Sequence, residues 1–221
     1  MYSYVIQGSR QRLAVGKIIG LARTYRAHAE EMHAVVTEEP LLFLKPESAV
    51  IFSGQSIVIP RFSQCLHHEV ELGVVIGKGG SAIPEPEARA HVLGYLVALD
   101  ITARDIQAEA KKKGWPWAIA KGFDTFAPIS DVVPAARIHD PMNLELSLLV
   151  NGQRRQHANT SLLLYSLDHI IAFISEIMTL REGDLIMTGT PEGVGELREG
   201  DVLDASLEGH CTLHVDVRKG P

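Results

Sequence analysis

Glu69 and Glu71 lie two residues apart in a stretch, 67–77, that opens with polar and apolar residues alternating and closes as a continuous apolar run. That is the pattern of a strand passing from a site wall into a core. Residues i and i+2 of a strand share a face, with Cα atoms roughly 6.5–7 Å apart. Two carboxylates at that spacing can converge on one ion, although a strand with one wet face carries the same pattern. Asp100 shifts the balance. It follows the apolar run Leu96–Leu99 and precedes a helix start, so it stands at a strand end, as a ligand or as a structural cap. Three oxygen donors of this kind suit Mg²⁺, Mn²⁺ or Ca²⁺ far better than zinc, which favours His and Cys. His67 and His68 adjoin the acids, either as supports of the site or as core histidines.

A second group could move protons. His28 and Glu31 are i and i+3, neighbours on one helical face, and a carboxylate beside an imidazole orients it as a general base for water. An incidental surface pair is the ordinary alternative. Arg104 sits in the first turn of a helix expected to start at Thr102. A cation there opposes the helix dipole unless an anion binds. Gln107 lies one turn further on the same face. Lys121 follows the apolar stretch Trp117–Ala120, which predicts partial burial beside the acids, as charge neutralisation, oxyanion stabilisation or a structural ion pair. The turn Thr188–Gly195 could hold a carboxylate oxygen on its N–H groups and the Thr190 hydroxyl. Lys45 is a weaker candidate.

The elements that must position these groups are short. Strands are expected at 17–22, 41–45, 67–77, 94–101, 144–150, 184–189, 201–207 and 211–217, with Asn151-Gly152 as a two-residue hairpin turn. Helices are expected over 24–32, 102–113 and 167–180. Thr102 and Asp105 have the form of a capping box, and Gly114 follows Lys111-Lys112-Lys113 as the stop. Residues 1–16 read as a loose strand or arm ahead of a single catalytic domain, 17–221. Strands outnumber helices and hairpins replace strand–helix alternation, so the class is β-rich α+β. No glycine-rich nucleotide motif is present.

Composition narrows the function. The 221 residues carry a formal charge of −6 with 46% hydrophobic residues, which fits one compact domain and gives no general attraction to nucleic acid. Two cysteines, Cys65 and Cys211, fit a reducing compartment, and neither has a catalytic context. No apolar stretch approaches the ~20 residues that span a bilayer, and no secretory signal is read. The expectation is a cytoplasmic protein with no membrane partner.

Taken together, Arg23-x-Tyr25-x-x-His28-x-x-Glu31, Leu42-Phe43-Leu44-Lys45-Pro46, His68-Glu69-Val70-Glu71-Leu72, Asp100-Ile101-Thr102-Ala103-Arg104-Asp105-x-Gln107, Lys121-Gly122-Phe123-Asp124-Thr125 and Thr188-Gly189-Thr190-Pro191 closely resemble the fumarylacetoacetate hydrolase family. The match is best to its small single-domain branch of acylpyruvate hydrolases and oxaloacetate decarboxylases or tautomerases. The usual motif has asparagine where this chain has Thr24. The resemblance implies a mixed β-sandwich roll, usually a homodimer, with one Mg²⁺ or Mn²⁺ on Glu69, Glu71 and Asp100. It implies catalytic roles for His28, Glu31 and Lys121, and contacts from Arg104, Gln107, Thr190, Arg23 and Lys45 to a small 2-oxo acid. The expected reaction is hydrolysis of the C–C bond of an acylpyruvate such as acetylpyruvate or fumarylpyruvate. Oxaloacetate decarboxylation or keto–enol tautomerisation is the alternative. Isomerisation or decarboxylation of catabolic dienoates, and non-catalytic binding of a 2-oxo acid, are further possibilities.

Overall fold

A computed structural model describes residues 2–220. The chain is a strand-rich α+β fold in which two mixed sheets pack face to face. The larger sheet runs, in spatial order, through Leu41–Lys45, Ile18–Ala22, Leu185–Met187, Val70–Ile76, Val92–Leu99, Ala127–Ile129 and Val50–Phe52, with Val133–Pro134 also on Val92–Leu99. Every residue of Val70–Ile76 is buried, as are the last six of Val92–Leu99. A strand covered on both faces reads as a nearly continuous apolar run, and both of these do.

The second sheet orders Gln153–Asn159, Glu145–Val150, Val202–Leu207, Cys211–Lys219 and Ser56–Ile59. Its outward residues alternate with buried ones in Cys211–Lys219, the mark of a strand with one wet face. Val202–Leu207 and Cys211–Lys219 contact Val92–Leu99, so Leu203, Leu207, Leu213 and Val215 share one core with Leu96 and Val97. The hairpin at Asn151-Gly152 has φ of 53° and 74°, the left-handed pair that a tight two-residue turn demands.

Among the described residues four α-helices decorate the sheets: α1 (Arg26–Glu31), α2 (Arg104–Lys113), α3 (Ala118–Lys121) and α4 (Leu167–Ile177). Gly114 ends α2, and Ser166 caps α4 by accepting from the His169 N–H at 3.0 Å. The expected capping box at the start of α2 is not formed. Thr102 belongs to a short strand, the N-cap is Ala103, and no side chain caps the helix. Asp105 instead accepts from Ser63 Oγ and the Gln64 N–H, which ties α2 to the loop before Leu66. The N-terminal residues are also less loose than expected. Ser3–Val5 and Arg12–Ala14 form a hairpin that buries Tyr4, whose hydroxyl donates to the Gly183 carbonyl at 3.0 Å.

The expected single strand over 67–77 is two strands. Leu66–His68 pairs with Gly195–Leu197 and Thr102–Ala103 in a separate three-stranded sheet, and Val70–Ile76 belongs to the large one. Glu69 is the residue at which the chain changes sheets. Asp100 is the equivalent residue between Val92–Leu99 and Thr102–Ala103, and its N–H donates to the Glu69 carbonyl at 2.8 Å. This double junction positions the site.

Candidate acidic centre and its cleft

Glu69 and Asp100 extend from the two junctions, and Glu71 follows in the first turn of the pleat, paired across the ladder with Ala98. Their carboxylate oxygens lie within 4.8 Å of one another, and the three residues are 5%, 1% and 1% exposed. A solvated strand face is therefore excluded for Glu69 and Glu71. Three buried carboxylates cannot stay ionised together without cations.

Two of the three have them. Lys121, at the end of α3, donates to Glu69 Oε2 at 2.9 Å, to Thr102 Oγ1 at 2.7 Å and to Asp100. Lys45 donates to Asp100 Oδ1 at 2.5 Å and to the Ile101 carbonyl. Arg104 reaches Glu69 with one nitrogen and Gln107 Oε1 at 2.8 Å with another. Burial alone would raise Glu69, but Lys121 and Arg104 outweigh it and hold its carboxyl well below the usual range. Burial lowers Lys45. For Lys121 the same penalty is overcome by Asp100 and Glu69, and its pKa is raised.

Glu71 is different. It meets no cationic side chain among the described residues and accepts only the Gly189 N–H, at 2.7 Å. Burial, then Asp100, then Glu69 push its carboxyl well above the normal range. A buried carboxylate crowded by two others, with oxygen donors converging, is a site that a hard divalent cation would satisfy. The residues fit such an ion.

The loop after Leu185–Met187 closes over the acids. Gly189 has φ of 93°, and a Cβ there would run into Thr24 Oγ1, so only glycine brings this N–H to Glu71. Thr24 is fully buried and donates to the Thr188 carbonyl at 2.7 Å. At this position the threonine ties α1 to the loop.

A narrow cleft opens beside the acids, lined by Arg23, His28, Glu69, Glu71, Arg104, Gln107, Lys111, Lys121 and Thr190, with Met32, Phe43 and Trp117 among its apolar walls. His28 Nδ1 lies 3.3 Å from Glu31 Oε2, and Glu31 also accepts the Gly193 N–H at 3.1 Å. The carboxylate is thus fixed from two sides and the imidazole keeps Nε2 for a ligand. Arg104 Nε is buried without a partner, an unused donor at the acidic end.

Not every candidate meets the cleft. Lys45 is fully buried behind Asp100 and is absent from the lining, so it neutralises Asp100 and does not reach a ligand. Thr190 lines the cleft, but its hydroxyl donates to the Val70 carbonyl and accepts from Gln156 Nε2, both at 2.8 Å, which leaves no proton for a substrate carboxylate. His68 Nδ1 bonds Gln156 Oε1 at 3.1 Å and acts as a core histidine. His67 is half-buried with Nδ1 unpartnered, and burial and Arg104 lower its pKa to about 4. Sequence reading passed over Gln156, Thr102 as a partner of Lys121, and Lys111. Only the sheet change brings the first two to the site. Lys111 had a visible signal, its spacing of seven from Arg104.

Fold and site together define a two-sheet α+β protein with a buried carboxylate triad at the base of a cation-lined cleft. The chain belongs to the fumarylacetoacetate (FAA) hydrolase C-terminal family, which it matches over residues 17–218. It is 47% identical over 202 residues to the mitochondrial oxaloacetate tautomerase FAHD1 of Mus musculus, covering 91% of each chain. Its fold superimposes with TM-score 0.95 on fumarylpyruvate hydrolase from Pseudomonas aeruginosa in complex with Mn²⁺ and pyruvate, at 38% identity, covering 99% of this chain and 96% of that one. The 5-carboxymethyl-2-hydroxymuconate delta-isomerase of Mycobacterium smegmatis follows with TM-score 0.84 and 40% identity, over 95% of this chain and 81% of that one. These relatives are enzymes: a tautomerase, a hydrolase and an isomerase. Among the described residues no helix is long and apolar enough to cross a membrane.

Proposed function

We propose that this chain hydrolyses the C3–C4 bond of acylpyruvates, yielding pyruvate and a carboxylic acid, with Mg²⁺ or Mn²⁺ held by Glu69, Glu71 and Asp100. The observation that carries the reading is the His28–Glu31 pair in the same cleft as the acids. When bound, the ion would act as a Lewis acid on the 1-carboxylate and 2-oxo oxygens and stabilise the charge of the leaving pyruvate enolate.

The chain's own residues account for the rest. Arg104 and Gln107, which line the cleft at its acidic end, bind the 1-carboxylate. His28, with Nδ1–H directed to Glu31, takes a proton from water at Nε2 as the oxygen attacks C4. The C3–C4 bond breaks, and the proton carried by His28 is returned to C3 to give pyruvate. Lys121 bridges Glu69 and Asp100 and offsets their negative charge. The exposed Leu44, Trp115 and Ile119 support a homodimer, which would cover them.

A second reading, keto–enol interconversion of oxaloacetate, is favoured by the 47% identity to the mouse tautomerase. There His28 moves a proton at C3 without any attack by water. Wild-type turnover separates the two: pyruvate release from acetylpyruvate or fumarylpyruvate supports hydrolysis, and accelerated ketonisation of oxaloacetate without acylpyruvate cleavage supports the tautomerase. In His28→Ala hydrolysis should fall by about 10²–10⁴-fold. Hydrolysis at the wild-type rate would exclude His28 as the base.

A further inference from the structure

Glu31 and Glu71 sit on different elements, yet one loop touches both. In the segment that follows Leu185–Met187, the Gly189 N–H donates to Glu71 at 2.7 Å and the Gly193 N–H to Glu31 at 3.1 Å. The two ends of this loop are held differently. Thr188 is fixed by its own N–H and hydroxyl, both donating to the Leu72 carbonyl at 3.0 Å, and by Thr24 on its carbonyl. Further along, Gln156 Nε2 donates to Thr190 Oγ1 at 2.8 Å and to the Pro191 carbonyl at 3.0 Å.

Gln156 comes from the second sheet. There the pairing steps from Leu149 opposite Arg154 to Leu148 opposite Gln156. Arg155 is thus an extra residue, a bulge, and bulges re-aim side chains next to sites. The Gln156 side chain is 1% exposed and uses all four hydrogen-bonding positions of its amide. Two protons go to the loop. The oxygen accepts the Val70 N–H at 3.0 Å, between Glu69 and Glu71, and meets His68 Nδ1 at 3.1 Å. Reversing the amide would set its NH₂ against the Val70 N–H and its oxygen against the Pro191 carbonyl, so the orientation is fixed. The bulge completes the seat, because a Cβ on Gly193, at φ of 90°, would strike the Arg155 carbonyl.

We propose that Gln156 is a positioning residue. It locks the turn at residues 190–193 onto the acidic strand, so that the Gly193 N–H holds Glu31, and Glu31 the His28 imidazole, in register with the carboxylate triad. This rests on the reading of His28 as the base. A misplaced catalytic group costs rate more than binding. Thr188 and Gly189 keep bonds of their own, so loss of Gln156 impairs the base and spares the metal carboxylates.

Gln156→Met keeps the volume and removes all four bonds. With fumarylpyruvate and Mg²⁺, kcat should fall by about tenfold or more, while KM and Mg²⁺ affinity stay within about twofold. The fall should vanish when His28 is already alanine, as for residues that act as a unit. A merely structural role would lower kcat by the same factor in both backgrounds, and that result overturns the proposal. Hydrogen exchange followed by NMR reads the loop without turnover. The Gly193 amide should exchange about tenfold faster in Gln156→Met, the size of one lost hydrogen bond, with the Gly189 amide unchanged. Equal acceleration at both glycines, or at neither, also overturns it. Should Gln156→Met fail to fold, Thr190→Val, which removes the hydroxyl that the amide holds, is read by the same two measurements with the same outcomes expected. If the wild type cleaves no acylpyruvate and Gly193 alone loses protection, the acylpyruvate reading falls and the positioning of Glu31 stands.

Discussion

Replacing Lys121 by methionine tests the electrostatics of the triad. The side chain is 3% exposed and its ammonium holds Glu69, Asp100 and Thr102 together. Methionine fills a similar volume and removes the charge. Breaking a buried ion pair from one side costs about 3–5 kcal/mol, because the remaining charge is left uncompensated. Here Arg104 still reaches Glu69 and Lys45 still reaches Asp100, so the low end applies, about 3 kcal/mol. In a domain of this size each kcal/mol moves Tm by about 2–4 °C, which gives a fall of about 6–12 °C for the metal-free protein. A divalent ion at the triad would restore positive charge where Lys121 supplied it. Mg²⁺ should therefore raise Tm more in the variant than in the wild type. Thermal unfolding followed by circular dichroism, with and without Mg²⁺, reads both quantities. A fall under about 2 °C in the metal-free variant, or a Mg²⁺ gain no larger than in the wild type, refutes the reasoning.

Two further outcomes follow from the same geometry. Glu71 has a folded pKa raised well above its ordinary value, so the metal-free fold binds that proton more tightly than the unfolded chain does. Its ionisation therefore costs stability as pH rises past about 4.3. Glu71→Gln should gain stability on the wild type between pH 4 and pH 8 in urea titrations, and should lose its stabilisation by Mg²⁺; parallel pH curves would contradict this. Gly189→Ala should lower the urea midpoint by the equivalent of about 1–3 kcal/mol, since the new Cβ meets Thr24 Oγ1 at a positive φ. An unchanged midpoint would show that the loop yields freely and that its glycine is dispensable.

Local chemistry was legible in the sequence wherever a neighbour within a few residues decides it. Asn151-Gly152 turns the hairpin, Gly114 ends α2, and Glu31 meets His28 one turn away. Long-range geometry was not. The alternation of 67–77 reads as one strand, and nothing local shows that Glu69 leaves one sheet for another. The two acids converge even so, because Asp100 turns out of its strand at the same rung. Thr102 and Asp105 have the right types for a capping box, but Lys121 and the loop at Ser63 compete for them and prevail. Thr190 has the right type for holding an anion, and Val70 and Gln156 take its hydroxyl first. Lys111 stands at a visible spacing of seven from Arg104, but its run of lysines already explains itself as a helix end, and only the structure places it on the cleft wall beside Trp117.

The most direct measurement of the central claim is pyruvate formation from fumarylpyruvate with the metal present, removed and returned. The account predicts turnover with Mg²⁺ or Mn²⁺, its loss on chelation, and its recovery when the ion is added back to the wild type but not to Glu71→Gln. Turnover that survives chelation, or recovery in Glu71→Gln equal to that of the wild type, would contradict an ion held by Glu69, Glu71 and Asp100.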